Sequence, residues 1–226
     1  IDFIAGKDGV LQKWLKLGAD GWRLDVADEL PDTFIDWLRV RVKKEKPNAI
    51  IIGEVWEDAV EKVSYGVNRN YALGCSLDSV MNYPLRDNML SFIHSRISAK
   101  QFADFLLTQY LTYPKPLYYS LMNLLGSHDT DRLRNALSTP VYLRSLSRED
   151  QMRIEFSEEA LNKALEYERL AAAVQFSLPG VPSVYYGDEQ GMCGVNDPFN
   201  RRPFRKGDGE LERFYASLGQ LRREND

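Results

Sequence analysis

Three acidic residues stand where short apolar runs end. Asp25 closes Gly21-Trp22-Arg23-Leu24, Glu54 closes Ile50-Ile51-Ile52-Gly53, and Asp129 follows Leu124-Leu125-Gly126-Ser127-His128. A strand buried in a parallel sheet reads as such a run, and barrels of these strands carry their reactive groups where strands pass into loops. The three carboxyl groups are therefore expected to converge on one acidic site. Strand alternation places Arg23 and Asp25 on one face, with Trp22, Leu24 and Val26 on the other. A guanidinium two residues away keeps Asp25 ionised, which suits a nucleophile and disables a general acid.

Glu54 follows an aliphatic run and precedes Val55-Trp56, so drier surroundings are expected to favour a proton donor there. His128 and Asp129 sit at a loop start, where an imidazole and a third carboxylate can bind adjacent hydroxyls of a sugar. Two carboxylates tuned in opposite senses are what glycoside hydrolysis requires. Each residue also has a structural alternative. Arg23 and Asp25 can form a buried ion pair, Glu54 can be a helix N-terminal charge, and Asp129, before Thr130, can be an N-cap.

The elements that must position these residues alternate along the chain. Residues 8–17 have helical spacing and end at Gly18, where a left-handed cap is wanted. A strand is expected over 21–26, a helix from Pro31-Asp32 to about Lys44 with Phe34, Ile35, Leu38 and Val42 on one face, and a strand over 49–55. Further strands are expected over Cys75–Met81, Leu121–Gly126 and Val181–Tyr186, with helices over Pro84–Ile97, Glu158–Phe176 and Gly209–Arg223. Five strands and about six helices in this order predict parallel strands joined by crossovers. Residues 130–157 and 187–208 read as long functional loops.

The 226 residues, 44% hydrophobic, suffice for one large domain with a sizeable core and contain no membrane-length apolar run. A net charge of -4 with scattered Lys and Arg excludes a basic stripe for nucleic acid. Cys75 and Cys193 show no disulfide or metal spacing and are expected as buried free thiols. The start at Ile1, without Met or a signal-like run, suggests a piece of a longer chain and leaves the compartment unread. Arg201 and Arg202 are expected to pair with Asp197 and Asp208 or to recognise substrate.

Gly21-Trp22-Arg23-Leu24-Asp25-Val26-Ala27, Gly53-Glu54-Val55-Trp56 and Ser127-His128-Asp129 resemble, in order and spacing, three motifs of the α-amylase family of glycoside hydrolases. Met81-Asn82-Tyr83-Pro84, Pro179-Gly180-Val181-Pro182, Tyr185-Tyr186-Gly187-Asp188-Glu189, Asp197-Pro198 and Asn200-Arg201-Arg202-Pro203 look most like the neopullulanase and cyclomaltodextrinase branch. The resemblance implies an α/β fold, a parallel (β/α)8 TIM barrel. This chain would supply about five β/α units, from the fourth strand onward, as one partial catalytic domain over residues 1–226.

The resemblance further implies Asp25 as nucleophile, Glu54 as general acid and then base, and Asp129 as transition-state stabiliser. Arg23, His128, Trp56 and Tyr83 would bind substrate. The implied reaction is retaining cleavage of α-glucosidic bonds in malto-oligosaccharides, cyclodextrins, pullulan or starch. No cofactor is expected, and the calcium that family members can carry has no identifiable ligands in this sequence. The expected partners are an α-glucan and either the missing N-terminal half of the barrel or a second copy, with the isolated piece inactive. The family motif that closes an earlier strand and ends in Asn-His is absent, and the only other histidine, His94, falls in an expected helix. A glucan transferase and a non-catalytic binding protein on the same scaffold are the alternatives; retention of all three acids speaks against the second.

Overall fold

The computed structural model describes residues 2–207 and 209–225. Its elements run α1 (Asp2–Ala5), α2 (Val10–Lys16), β1 (Gly21–Leu24), α3 (Asp32–Glu45), β2 (Ile50–Gly53), β3 (Val63–Ser64), β4 (Val67–Asn68), β5 (Ser79–Val80), α4 (Tyr83–Ile93), α5 (Ala99–Thr112) and α6 (Lys115–Ser120). They continue with β6 (Met122–Leu124), α7 (Leu133–Ser138), α8 (Arg148–Arg153), α9 (Glu158–Ser177), β7 (Val181–Ser183) and α10 (Glu210–Asn225). The chain divides into two compact units, residues 1–84 with 106–122, and residues 85–105 with 123–226.

In the first unit β1 pairs parallel with β2, Gly21 opposite Ile50 and Leu24 opposite Gly53. β2 pairs parallel with β5, Ile52 opposite Ser79, which leaves β1 at the edge of this sheet. Met81 extends the parallel order with a single bridge to Met122. Leu24 and Ile51 lie in one core with Leu11 and Leu15 of α2 and Ile35, Leu38 and Val42 of α3. Each such side chain stabilises the fold by roughly 1.5–3 kcal/mol on burial. The α3 face agrees with the spacing, and α2 ends as expected before Gly18 at φ 111°. Trp14 and Leu17, by contrast, are exposed.

The first strand is shorter than the expected 21–26 because Val26 adopts φ 42°, ψ 59°, the left-handed region, which ends strand geometry at once. The alternation that placed Val26 with Trp22 and Leu24 therefore stops at Leu24, and Val26 is exposed. A hairpin of β3 and β4 follows β2. Tyr65 and Gly66 both take positive φ at its tip, the requirement of a tight hairpin turn matched to strand twist. Cys75 is exposed and Cys193 only part-buried, which corrects the expectation of two buried thiols. Cys75 lies with Leu73 and Gly74 in an exposed bend, where Gly74 takes φ 81°.

In the second unit β6 pairs with β7. The long helix α9 begins at Ser157, whose hydroxyl accepts from the Ala160 N–H, and packs Ala172 against Leu211 and Tyr215 of α10. The span 130–157, expected as a loop, holds α7, α8 and a 3₁₀ turn at Leu143–Ser145. α7 buries Leu133, Ala136 and Leu137, too few positions to show periodicity in sequence. α4 stops at Ile93 rather than 97, since Ser95 takes φ 57°; His94 thus follows the helix, its Nε2 2.8 Å from the Ala136 carbonyl. Residues 187–207 keep the loop character expected of 187–208, apart from a 3₁₀ turn at Asp188–Gln190.

Candidate active site

In the first unit the parallel register that sets Leu24 opposite Gly53 brings the next residues, Asp25 and Glu54, to the ends of neighbouring strands. At Gly53 a Cβ would stand 2.4 Å from a Leu77 methyl, so any larger residue there displaces the Leu77 side chain. Arg23 Nη1 contacts Asp25 Oδ1, and Arg23 Nη2 lies 3.1 Å from Glu54 Oε2. One guanidinium therefore touches both carboxylates, a second contact that the two-residue spacing did not foretell. Asp25 is 77% exposed and Glu54 only 5%. The expectation of drier surroundings for Glu54 agrees with that contrast.

Glu54 also accepts from the Val26 N–H at 2.7 Å and from Trp56 Nε1 at 3.3 Å. Val26 itself takes the left-handed region at φ 42°, unusual for a β-branched residue and worth about 1–3 kcal/mol of strain. Trp56 stacks on Tyr83, centroids 3.9 Å apart and planes within 7°. Trp56 is part-buried and Tyr83 is 1% exposed, so Tyr83 supports Trp56 from beneath rather than offering a free face. Of the residues selected from sequence, Arg23, Asp25, Glu54, Trp56 and Tyr83 form this group.

In the second unit, His128 Nε2 lies 3.0 Å from Asp129 Oδ2, and Arg201 Nη2 lies 3.6 Å from Asp129 Oδ1. Arg201 Nε pairs at 2.7 Å with Asp197. The Arg201–Asp197 pairing follows the sequence reading, whereas Asp208 lies outside the described residues. Asp129 is no helix cap, since α7 begins after Arg132. Its loop is closed by its own side chains: the Ser127 N–H donates to Thr130 Oγ1 at 3.0 Å, and the Asp129 N–H to Ser127 Oγ at 3.1 Å.

Asn200, fully buried, holds this loop from a distance in sequence. Its Nδ2 donates to the carbonyls of His128 at 2.8 Å and Thr130 at 2.6 Å, with Ser127 at 3.4 Å. Asn200 is not among the site residues selected from sequence, since nothing local separates a buried amide from a solvated one. Beneath the loop, Arg132 donates to the Tyr186 carbonyl at 2.6 Å and to Asp188 at 3.2 Å. Burial pushes the Asp188 carboxyl well up, Glu168 adds to the rise, and Arg132 opposes it. Gly126 lies against it: a Cβ there would stand 2.5 Å from Asp188 Oδ2 and displace the carboxyl. Glu168 pairs with Arg134 at 2.6 Å, yet burial raises its carboxyl to about 7 against that guanidinium.

Among the described residues no cluster of three or more His, Cys, Asp or Glu side chains is arranged for a metal ion, and no helix is long and apolar enough to cross a membrane.

Residues 5–224 match the family described as alpha amylase, catalytic domain. An amylopullulanase of Thermoanaerobacter thermohydrosulfuricus is 38% identical over 244 residues, covering 99% of this chain and 15% of its own length. A cyclomaltodextrinase of Thermoanaerobacter pseudethanolicus is 35% identical, with 96% of this chain and 33% of its own covered. The solved cyclic α-maltosyl-(1→6)-maltose hydrolase from Arthrobacter globiformis, in complex with maltose, aligns with a TM-score of 0.77 at 30% identity. It covers 95% of this chain and 43% of its own. The chain thus spans less than half the length of each of these relatives.

Proposed function

The chain belongs to the α-amylase catalytic-domain family, and from that premise we propose that it carries the acid–base machinery of a retaining hydrolase of α-glucosidic bonds. Its parallel strands are part of the family's (β/α)8 barrel. The observation that carries the proposal is the single guanidinium of Arg23 touching both Asp25 and Glu54 at neighbouring strand ends. Malto-oligosaccharides, cyclodextrins, pullulan or starch are the proposed substrates, in keeping with relatives named amylopullulanase and cyclomaltodextrinase.

In the first step Asp25 attacks the anomeric carbon while Glu54 protonates the departing oxygen, forming a glycosyl ester on Asp25. In the second, Glu54 takes a proton from water, which displaces Asp25 and restores the α-configuration. Glu54 must serve as acid and then base, and its surroundings suit both. It is buried, accepts from the Val26 N–H and the Trp56 N–H, and pairs with Arg23, contacts that hold its carboxyl in one place for both transfers. Asp129 and His128 bind sugar hydroxyls, with bonds that strengthen as the ring flattens toward the transition state. Trp56 offers an aromatic face on the leaving-group side.

The edge position of β1 and the 43% coverage of the structural relative support a further part of the proposal. The sheet is completed by barrel strands that precede residue 1 in a longer chain, and the piece alone is inactive. Release of reducing sugar from maltohexaose and β-cyclodextrin tests this, using the chain alone and with the preceding barrel segment supplied. Activity only on addition is expected. Binding without turnover in both arms contradicts the catalytic reading, and chain-lengthened products would make the enzyme a transferase.

A further inference from the structure

The catalytic reading leaves unexplained a buried arginine in the hairpin that follows the strand of Glu54. Arg69, 9% exposed, aims its whole guanidinium at the turn that follows Asp25. Nη1 donates to the Asp28 carbonyl at 3.0 Å, Nη2 to those of Ala27 at 3.4 Å and Leu30, and Nε to the Asp32 carboxylate at 2.6 Å. The hairpin adds further ties to the same turn. Ser64 Oγ donates to the Asp28 carbonyl at 3.2 Å, and Lys62 pairs with Asp28 Oδ2 at 2.9 Å. Tyr71 donates to Asp28 Oδ1 at 2.9 Å, its ring lying under the Arg69 guanidinium.

The turn so gripped begins at Val26, the β-branched residue held left-handed at φ 42°. Left to itself a valine relaxes to extended or right-handed backbone, which carries the chain after it, and with it the Ala27 N–H, away from the Glu54 carbonyl that it meets at 3.2 Å. We propose that Arg69 is a positioning residue for catalysis: it locks the 26–30 turn, keeps Val26 left-handed, and thereby fixes Glu54 in its acid–base orientation. A planar fork with several donors can grip converging carbonyls, whereas a lysine ammonium is a single point of attachment. The proposal rests on the reading of Glu54 as the proton donor.

The test compares maltohexaose, whose leaving group needs a proton, with α-maltosyl fluoride, whose fluoride leaves without one. Both are assayed with the enzyme in its assembled barrel, carrying Arg69→Gln, Arg69→Lys or Glu54→Gln. For both Arg69 variants the expected result is a loss of about tenfold or more in kcat/KM on maltohexaose and a change below about threefold in kcat/KM on the fluoride, a ratio that reads formation of the glycosyl ester and not the water attack in which Glu54 serves as base. Val26→Gly placed on Arg69→Gln is expected to recover part of the maltohexaose rate, since glycine takes the left-handed conformation freely.

Equal losses on both substrates, no loss on either, or no recovery with glycine would overturn the clamp. Should Arg69→Gln fail to fold, Arg69→Lys reads the same selectivity. If Glu54→Gln itself proves selective while Arg69→Lys does not, the clamp alone falls. If Glu54→Gln is unselective, the acid assignment falls and takes the clamp with it.

Discussion

The two acidic groups are held in opposite ways. Glu54 is buried and fixed from its immediate surroundings: the Arg23 guanidinium pairs with it, and the Val26 N–H at the end of the paired strand and the Trp56 N–H two residues on donate to it. Asp129 is 28% exposed, and the loop that carries it depends on Asn200 and Arg201, some seventy positions later in the chain. The first group is built from strand register, whereas the second is built from a loop folded back onto another loop. The first is tied by backbone hydrogen bonding in the sheet; the second is tied by the buried Asn200 amide and by Ser127 and Thr130, which close the loop on itself.

That contrast can be broken from either side. The largest effect is expected for Asp25→Asn, which removes the nucleophile while its strand end remains formed; turnover in the assembled enzyme should fall by roughly a thousandfold or more. Retention within a factor of about ten would contradict its role. Glu54→Gln is expected to lower kcat/KM by about 10²–10⁴-fold on maltohexaose and far less on substrates with good leaving groups, read across a leaving-group series.

Asn200→Ala tests the second group. Three carbonyls lose their donor, so the 127–130 loop should loosen, with kcat down by roughly 10–100-fold and faster amide exchange confined to that loop. Asn200→Asp should do more harm, because a carboxylate would face carbonyl oxygens. Equal exchange in both variants and the parent would show that Asn200 is not the anchor.

A smaller effect concerns stability in the second unit. The Glu168 carboxyl, raised from 4.5 to about 7 by burial, holds a proton in the folded state that the unfolded chain releases between those values. Stability therefore falls as pH rises from about 4.5 to 7 and levels above, by roughly 3 kcal/mol from this group. Glu168→Gln should flatten that part of the urea-unfolding profile, and an unchanged slope would count against the buried carboxyl as its source.

The same contrast explains what the sequence revealed. β1, β2 and α3 were legible because a buried parallel strand is nearly all apolar and α3 turns Ile35, Leu38 and Val42 inward. The hairpin of β3 and β4 was not, since Val63 and Val67 are exposed and its purpose lies in polar ties to residues 27–32. α5 was passed over although it has a reciprocal N-terminal cap, the Ser98 N–H donating to Gln101 Oε1 at 2.8 Å and the Gln101 N–H to Ser98 Oγ at 3.2 Å. That pairing is a signal readable from residue types alone. The candidate acids were legible because strand ends mark them. Asn200 and Arg69 were not, because nothing local distinguishes a buried clamp from a solvated side chain.

The most direct test of the central claim is to trap the covalent intermediate. The assembled enzyme is treated with 5-fluoro-α-glucosyl fluoride, whose ring fluorine slows loss of the sugar from the enzyme, and its peptides are then mapped by mass spectrometry. The account predicts a glycosyl ester on Asp25 that disappears in Asp25→Asn. A label on another residue, or continued turnover of natural substrate by an enzyme that never labels, would contradict it.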